Sequence, residues 1–229
     1  MNLLRAFLIT LLVLIISCLI CVIFFKSALS DLFTSASKKQ MNWQYTCTLD
    51  EQGQHIGKLY KYDNKEKKLI RTSTSNSCIF SRPENHTKFL ILAVGGGGGA
   101  TPFESGSSGQ IISKNHNTTE SVWVIKVGKG GQGTFMNNEQ FFDAQDGEKT
   151  TIKELKLTAH GGSKSTRMTP LGTNHPPKEA RSNISEKHYK LHNISHSEKY
   201  GIGGEYSKNA NTLKSNADKG NDGIVVIQW

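Results

Sequence analysis

The run of five consecutive glycines at residues 95–99 constrains the fold of this chain more than any other feature. It directly follows six apolar residues in the stretch FLILAVGGGGGA, which have the composition of a buried strand. Glycine contributes no side-chain packing and loses more backbone entropy on ordering than any other residue. A flexible linker and a phosphate-binding loop are therefore the two simplest interpretations of the run.

Glycine clusters recur along the rest of the chain, and each follows a short apolar or alternating segment. Residues 122–134 read VWVIKVGKGGQGT, and Trp123, Ile125 and Val127 would share one face of a strand there. Residues 155–162 read LKLTAHGG and repeat the arrangement. The glycines therefore punctuate a β architecture, which a single linker would not do.

The order of these motifs resembles a glycine-rich β domain found in bacterial and phage surface proteins, including tail-fibre adhesins. The resemblance extends over residues 89–229, and the chain departs from it in a polar, histidine-bearing insertion at residues 163–199. The motifs that carry it are GGGGG at 95–99, VGKGGQGT at 127–134, GEKTTI at 147–152, LTAHGG at 157–162 and GIVVIQW at 223–229.

The resemblance implies a mainly β fold, in which glycine segments pack as extended helices of the polyproline II type and accompany a β-sandwich. Glycine chains can approach one another closely because no side chain separates them, so that their amides and carbonyls can bond between segments. The five-glycine run is then packed structure and not a linker. The glycines expected to have this structural role are Gly95, Gly96, Gly97, Gly98, Gly99, Gly128, Gly130, Gly131, Gly133, Gly161, Gly162, Gly203 and Gly204.

Residues 6–25 form an uncharged apolar run that is long enough to cross a hydrocarbon core as a helix. A cleaved signal peptide is the alternative, but the run is longer than a typical signal core and has no small-residue cleavage site after it. The sequence therefore predicts a single transmembrane helix and juxtamembrane stalk in residues 1–40. A small β subdomain in residues 41–88 and the glycine-rich β domain in residues 89–229 would follow.

Two of the four cysteines lie outside the apolar run, in a polar, β-like context. Cys47 and Cys78 are most simply a disulfide if the domain is extracytoplasmic, and two unrelated thiols if it faces the cytosol. The charges that flank the apolar run do not decide the orientation. We expect the C-terminal domain on the extracytoplasmic side, in the periplasm or at the cell surface.

Motifs for catalysis or for a bound cofactor are weak. GGSKST at residues 161–166 comes nearest to a phosphate-binding loop, but Ser163 stands where the motif needs glycine. His188, His192 and His196 recur at every fourth residue and would line one face of a helix, as in some metal sites. The surrounding polar residues favour a solvated loop instead. We therefore expect no enzyme activity, no cofactor and no metal.

The formal net charge of +9 favours weak attraction to anionic surfaces. Aromatic and basic residues do not alternate at stacking distance, so nucleic acid is not an expected partner. The expected partners are the lipid bilayer and either further copies of the chain or an anionic surface polymer. The leading hypothesis is a membrane-anchored surface or envelope protein with a structural or adhesive domain. A pilin-like filament subunit and an envelope-acting enzyme are the alternatives.

Overall fold

The computed structural model describes residues 42–63, 66–137, 140–166, 185–195, 199–205 and 217–229. The predicted transmembrane helix and the stalk lie outside these residues. Within the part of the chain that is described, no helix combines the length and the apolar character needed to cross a membrane.

The described residues are mainly β, as the sequence predicts, and contain one short helix, α1 (Glu186–His192). Every strand pairing is antiparallel. The strands are β1 (Trp43–Leu49), β2 (His55–Asp63), β3 (Glu66–Ser75), β4 (Cys78–Ser81), β5 (Lys88–Val94), β6 (Ile111–Asn117), β7 (Val122–Lys126), β8 (Phe135–Asn137), β9 (Gln140–Phe142), β10 (Thr150–Ile152), β11 (Leu157–Ala159) and β12 (Ile224–Gln228).

Two sheets face each other across a shared core. The larger has the order β3-β2-β1-β12-β5-β6 and the smaller has the order β11-β10-β7-β4, while β8 and β9 form a separate hairpin. β5 and β12 are neighbouring interior strands of the larger sheet, which suits their sequences, KFLILAV and IVVIQ, because these nearly continuous apolar runs can be buried on both faces.

Aromatic side chains dominate the core between the sheets. Trp123 is fully buried, and its ring lies 4.8 Å from that of Phe80 and 4.9 Å from that of Phe89. Burying a large apolar side chain of this kind contributes roughly 1.5–3 kcal/mol. The core therefore supplies the main stabilisation that holds the two sheets together.

The disulfide between Cys47 and Cys78 confirms the pairing expected from the sequence. It joins β1 of the larger sheet to β4 of the smaller one, and both cysteines are buried. The bridge therefore links the two layers of the sandwich directly.

The outer face of the larger sheet is covered by part of the polar insertion. Ile194 packs with Leu92, Ile224 and Val226 in a second apolar cluster, and His192 at the end of α1 is fully buried. The prediction of a solvated loop is therefore wrong for this part of the insertion, because residues 186–192 are helical and His192 and Ile194 are buried.

No boundary between sheets separates residues 42–88 from the remainder of the fold. β1 pairs with β12, β4 pairs with β7, and the described residues from Asn42 onwards belong to one compact unit. The strands assigned to a small β subdomain in the sequence analysis are thus components of the same sandwich, since antiparallel pairing joins the first strand to the last.

Candidate functional site

Seven extended segments, each containing at least one glycine, pack side by side, and most of them adjoin a strand of the sandwich. We number them in chain order. They are segment I (residues 95–100), segment II (105–110), segment III (128–134), segment IV (144–149), segment V (160–165), segment VI (201–205) and segment VII (217–223).

Segment I is the buried axis of this glycine bundle. Its six amides donate to the carbonyls of segments II, IV and VII in a repeating order, with N···O distances of 2.9–3.1 Å. The acceptors of residues 95 to 100 are, in turn, Gln110, Glu148, Asn221, Ser107, Gln145 and Asp218. The repeat of three residues is that of a polyproline II helix, which makes no internal hydrogen bonds and directs its peptide groups outward.

The carbonyls of segment I face the other three segments. Segments III, V and VI donate to them, so that segment I has six neighbours. The donors to the carbonyls of residues 96 to 100 are, in turn, Gly162, Gly131, Gly204, Ser165 and Thr134. A buried backbone group left without a partner is destabilising by about 1–3 kcal/mol, and this arrangement pairs nearly all of those on the axis.

The six outer segments also bond to one another and close a ring in the order II-V-IV-III-VII-VI. Contacts between II and V, and between VII and VI, illustrate this, since the Ser107 amide donates to Ser163 and the Asn221 amide to Ile202. The glycine bundle is thus a six-around-one array held by main-chain hydrogen bonds.

Close approach of the backbones explains why glycine is required. A Cβ on Gly97 would overlap the carbonyl of Ile202, and one on Gly99 would overlap that of Gln132. Because the obstacle is main chain in each case, no side-chain movement can relieve it. Substitution must therefore push two segments apart.

A second feature, the aromatic groove, lies between the inner face of β1–β3 and the outer edge of β4. Its volume is about 670 Å³, within the range of roughly 300–1,000 Å³ that is typical of small-molecule sites. The residues that line it are Trp43, Tyr45, Gly57, Leu59, Arg71, Ser73, Ser75, Ile79, Phe80, Ser81, Pro83, His86 and Trp229.

Polar groups converge on the phenol of Tyr45 within this groove. The Tyr45 hydroxyl donates to the carbonyl of Ile79 at 3.3 Å. Burial raises the pKa of Tyr45, while a hydrogen bond with Ser73 and the charge of Arg71 act in the opposite direction. Gly57 makes room for this arrangement, because a Cβ there would overlap the Tyr45 hydroxyl. The groove therefore combines apolar rings with a few placed polar groups, as ligand sites do.

A sequence profile described as a glycine-rich domain matches residues 72–226, more than half of the chain. The chain belongs to this glycine-rich domain family. No curated protein matches the chain. The matched residues of the glycine-rich domain include all seven bundle segments, whereas β1, β2 and Trp229 lie outside the match.

The glycines singled out from the sequence all lie in segments I, III, V and VI of the glycine-rich domain. The structure adds further glycines with the same role, whose Cβ atoms would also overlap main chain. They are Gly106, Gly109, Gly147, Gly201, Gly220 and Gly223. Their spacing is the signal that the sequence analysis missed, since pairs such as Gly106 and Gly109, or Gly220 and Gly223, are three residues apart.

The stretch GGSKST runs along segment V. The amides of Gly162 and Ser165 donate to segment I, and that of Lys164 donates to the Asp146 carboxylate at 2.7 Å. These three amides therefore donate to groups of the glycine bundle and do not form a phosphate-binding loop.

The histidines of the insertion are split between described and undescribed residues. His188 and His192 lie in α1, whereas His196 lies outside the described residues. Ser113 pairs with Nε2 of His192 at 2.9 Å. Burial, with a smaller contribution from the nearby charge of His188, lowers the pKa of His192 to about 4. Within the described ranges, no group of three or more His, Cys, Asp or Glu residues is arranged to hold a metal ion.

Proposed function

We propose that this chain is a membrane-anchored protein of a cell envelope or cell surface, whose glycine-rich domain is adhesive. In this proposal the glycine bundle is a rigid scaffold and the aromatic groove binds an extracellular polysaccharide. The observation that carries the proposal is the groove itself, with aromatic rings and hydroxyl groups on strands of the sandwich.

Flat aromatic rings suit the apolar faces of sugar rings, and serine hydroxyls suit their hydroxyl groups. Trp43 and Trp229 present large rings, and Ser73, Ser75 and Ser81 provide hydroxyls. Sites on strands hold their side chains more precisely than sites on loops. The composition of the groove therefore favours a saccharide over a purely apolar ligand.

An extracytoplasmic location is supported by two separate features. The disulfide between Cys47 and Cys78 is of a kind that persists in oxidising compartments and is rare in the cytosol. The apolar run at residues 6–25 has the length of a membrane anchor. Together they favour a tethered domain that faces away from the cytosol.

The location is tested by protease treatment of cells that express the full chain with a C-terminal epitope tag. The tag is compared in intact cells, spheroplasts and lysed membranes, with a cytosolic protein as control. We expect cleavage before lysis. Protection of the tag until lysis would contradict the proposal.

Adhesion is tested with the same cells on surfaces coated with defined polysaccharides. Trp43→Ala removes one ring from the groove and should reduce attachment. Val122→Ala is the matched control, because Val122 is an exposed apolar residue of β7 that does not line the groove. Equal attachment of both variants and the unmodified protein would exclude the groove as the adhesive site.

A further inference from the structure

We infer that the aromatic groove takes an acidic saccharide, whose rings lie against the aromatic side chains and whose carboxylate pairs with the guanidinium of Arg71. This inference rests on the proposed function and specifies its ligand class. It is carried by the strand register that directs Arg71 into the groove and by the charge of the lining.

A β-bulge in β3 decides which side chain of that strand enters the groove. Tyr60 pairs with Leu69 and Leu59 pairs with Arg71, so that Ile70 has no partner on β2. Opposed residues of neighbouring strands direct their side chains to the same face, and Leu59 lines the groove. Arg71 is therefore directed into the groove with Leu59.

Without the extra residue, the pairing would continue from Tyr60 and Leu69 to Leu59 and Ile70. A register shift of one residue exchanges the two faces of a strand. Ile70 would then face the groove and Arg71 the opposite side. The bulge thus exchanges an apolar side chain for a cation at this position, and bulges commonly redirect a side chain in this way.

Among the side chains of the lining, permanent charge is of one sign. Arg71 is the one permanently charged side chain in the described lining, which contains no Asp or Glu. Lys61 lies outside the lining, but its amino group is 5.7 Å from the centre of the Trp43 ring. A ligand with an anionic group close to an apolar face would therefore match this lining.

A carboxylate matches the geometry of a guanidinium, because two parallel N–H groups can donate to its two oxygens. Ser73 and Ser75 follow Arg71 at alternate positions of β3 and lie on the same side of the groove. They provide hydrogen-bonding groups beside the cation for the hydroxyls of the sugar. An acidic saccharide satisfies the rings, the hydroxyls and the charge together.

Only part of the groove lies within the matched family region. The match begins at residue 72 and ends at residue 226. Trp43, Tyr45, Leu59 and Arg71 precede it and Trp229 follows it. Arg71 and both tryptophans of the groove therefore lie outside the matched region, whereas Ser73 and Ser75 lie within it.

The test uses the full-length protein in detergent and two trisaccharide probes, trigalacturonate and its fully methyl-esterified form. The probes have the same sugar rings and differ in charge. Binding is followed by tryptophan fluorescence, since two of the three tryptophans line the groove and Trp123 is buried in the core. We expect the acid to bind at least about tenfold more tightly than the ester, which corresponds to one charge-assisted contact.

Arg71→Gln should reduce the affinity for the acid to that for the ester and leave the melting temperature unchanged, because Arg71 is exposed. Lys68→Gln is the matched control, since it removes one charge from the same strand outside the groove. It should retain the preference for the acid.

Equal affinities for acid and ester would overturn the inference while leaving polysaccharide binding intact. Equal losses in Arg71→Gln and Lys68→Gln would overturn it as well, because general electrostatic attraction would then account for the binding. If neither probe binds the unmodified protein, the acidic ligand is rejected, and the attachment assay decides separately on the adhesive function.

Discussion

The main chains of Trp43 and Trp229 form two hydrogen bonds with each other, in which the amide of each residue donates to the carbonyl of the other at 3.3 Å. Their rings stack with centroids 6.3 Å apart and planes 6° apart. The pair extends the ladder between β1 and β12 by one residue. Both tryptophans also line the aromatic groove, so that the pair contributes to the fold and to the proposed binding site.

The two tryptophans should differ in their contributions to stability. The ring of Trp229 also contacts those of Phe80 and Phe89, with centroids 5.2 and 6.3 Å away. Trp229→Ala should therefore lower the free energy of unfolding by about 3 kcal/mol, and Trp43→Ala by about 1 kcal/mol. Urea denaturation followed by circular dichroism measures both. A larger loss in Trp43→Ala would contradict the assignment of Trp229 to the edge of the core.

Gly97→Ala should lower the free energy of unfolding by at least about 2 kcal/mol, because overpacking against main chain cannot be relieved by a rotamer change. The added methyl would meet the carbonyl of Ile202. Ser163→Ala in segment V is the control, since Ser163 is exposed and already has a Cβ. Thermal unfolding of the two variants compares them. Similar melting temperatures would show that segment I is not a packed axis.

Removing the disulfide by the double substitution Cys47→Ala and Cys78→Ala should lower the free energy of unfolding by about 3–4 kcal/mol. The reason is that the bridge closes a loop with a sequence separation of 31 residues in the unfolded chain. The control replaces Cys18 and Cys21, which belong to the apolar run, and should leave the unfolding of the glycine-rich domain unchanged. Titration of thiols in the denatured, unreduced protein should find the bridged pair unreactive.

Stability should fall on acidification because of His192. Its pKa is lowered from 6.5 to about 4 by burial. The unfolded chain therefore binds a proton that the folded chain does not, and the free energy of unfolding decreases as the pH falls from 6.5 towards 4. The decrease should be of the order of 3 kcal/mol.

Urea denaturation at a series of pH values measures this dependence. His192→Gln should flatten the curve between these pH values, whereas His160→Gln should leave it unchanged, because His160 is exposed. A curve for His192→Gln that runs parallel to that of the unmodified protein would contradict the assignment to His192.

The presence of packed glycine segments could be predicted because the glycine clusters are a local feature of the sequence. A glycine cluster after each strand marks where the chain leaves the sandwich, and this located segments I, III and V. Segments II and VII were harder to recognise, because Ser107 and Ser108 or Asn221 and Asp222 separate their glycines. The spacing of three is the physical signal, since only one residue in each turn faces a given neighbour.

The aromatic groove could not be predicted in the same way. It brings together β1, β2, β3, β4 and the last residue, and pairing of strands far apart in sequence depends on the tertiary fold. Arg71 faces the groove because the bulge leaves Ile70 unpaired. Neither the composition of the strand nor the alternation of its apolar residues indicates where a bulge occurs. The helix α1 was missed for a related reason, because burial of His192 and Ile194 requires the sheet that they cover.

The repeat of three residues in segment I also restricts how its length can evolve. Successive amides along the axis donate to segments II, IV and VII in turn, and each of these segments accepts again three residues later. An insertion of one residue would rotate everything beyond it by a third of a turn and direct each amide to the wrong neighbour. An insertion of three would restore the pairing. Related sequences should therefore lengthen or shorten this axis by multiples of three residues.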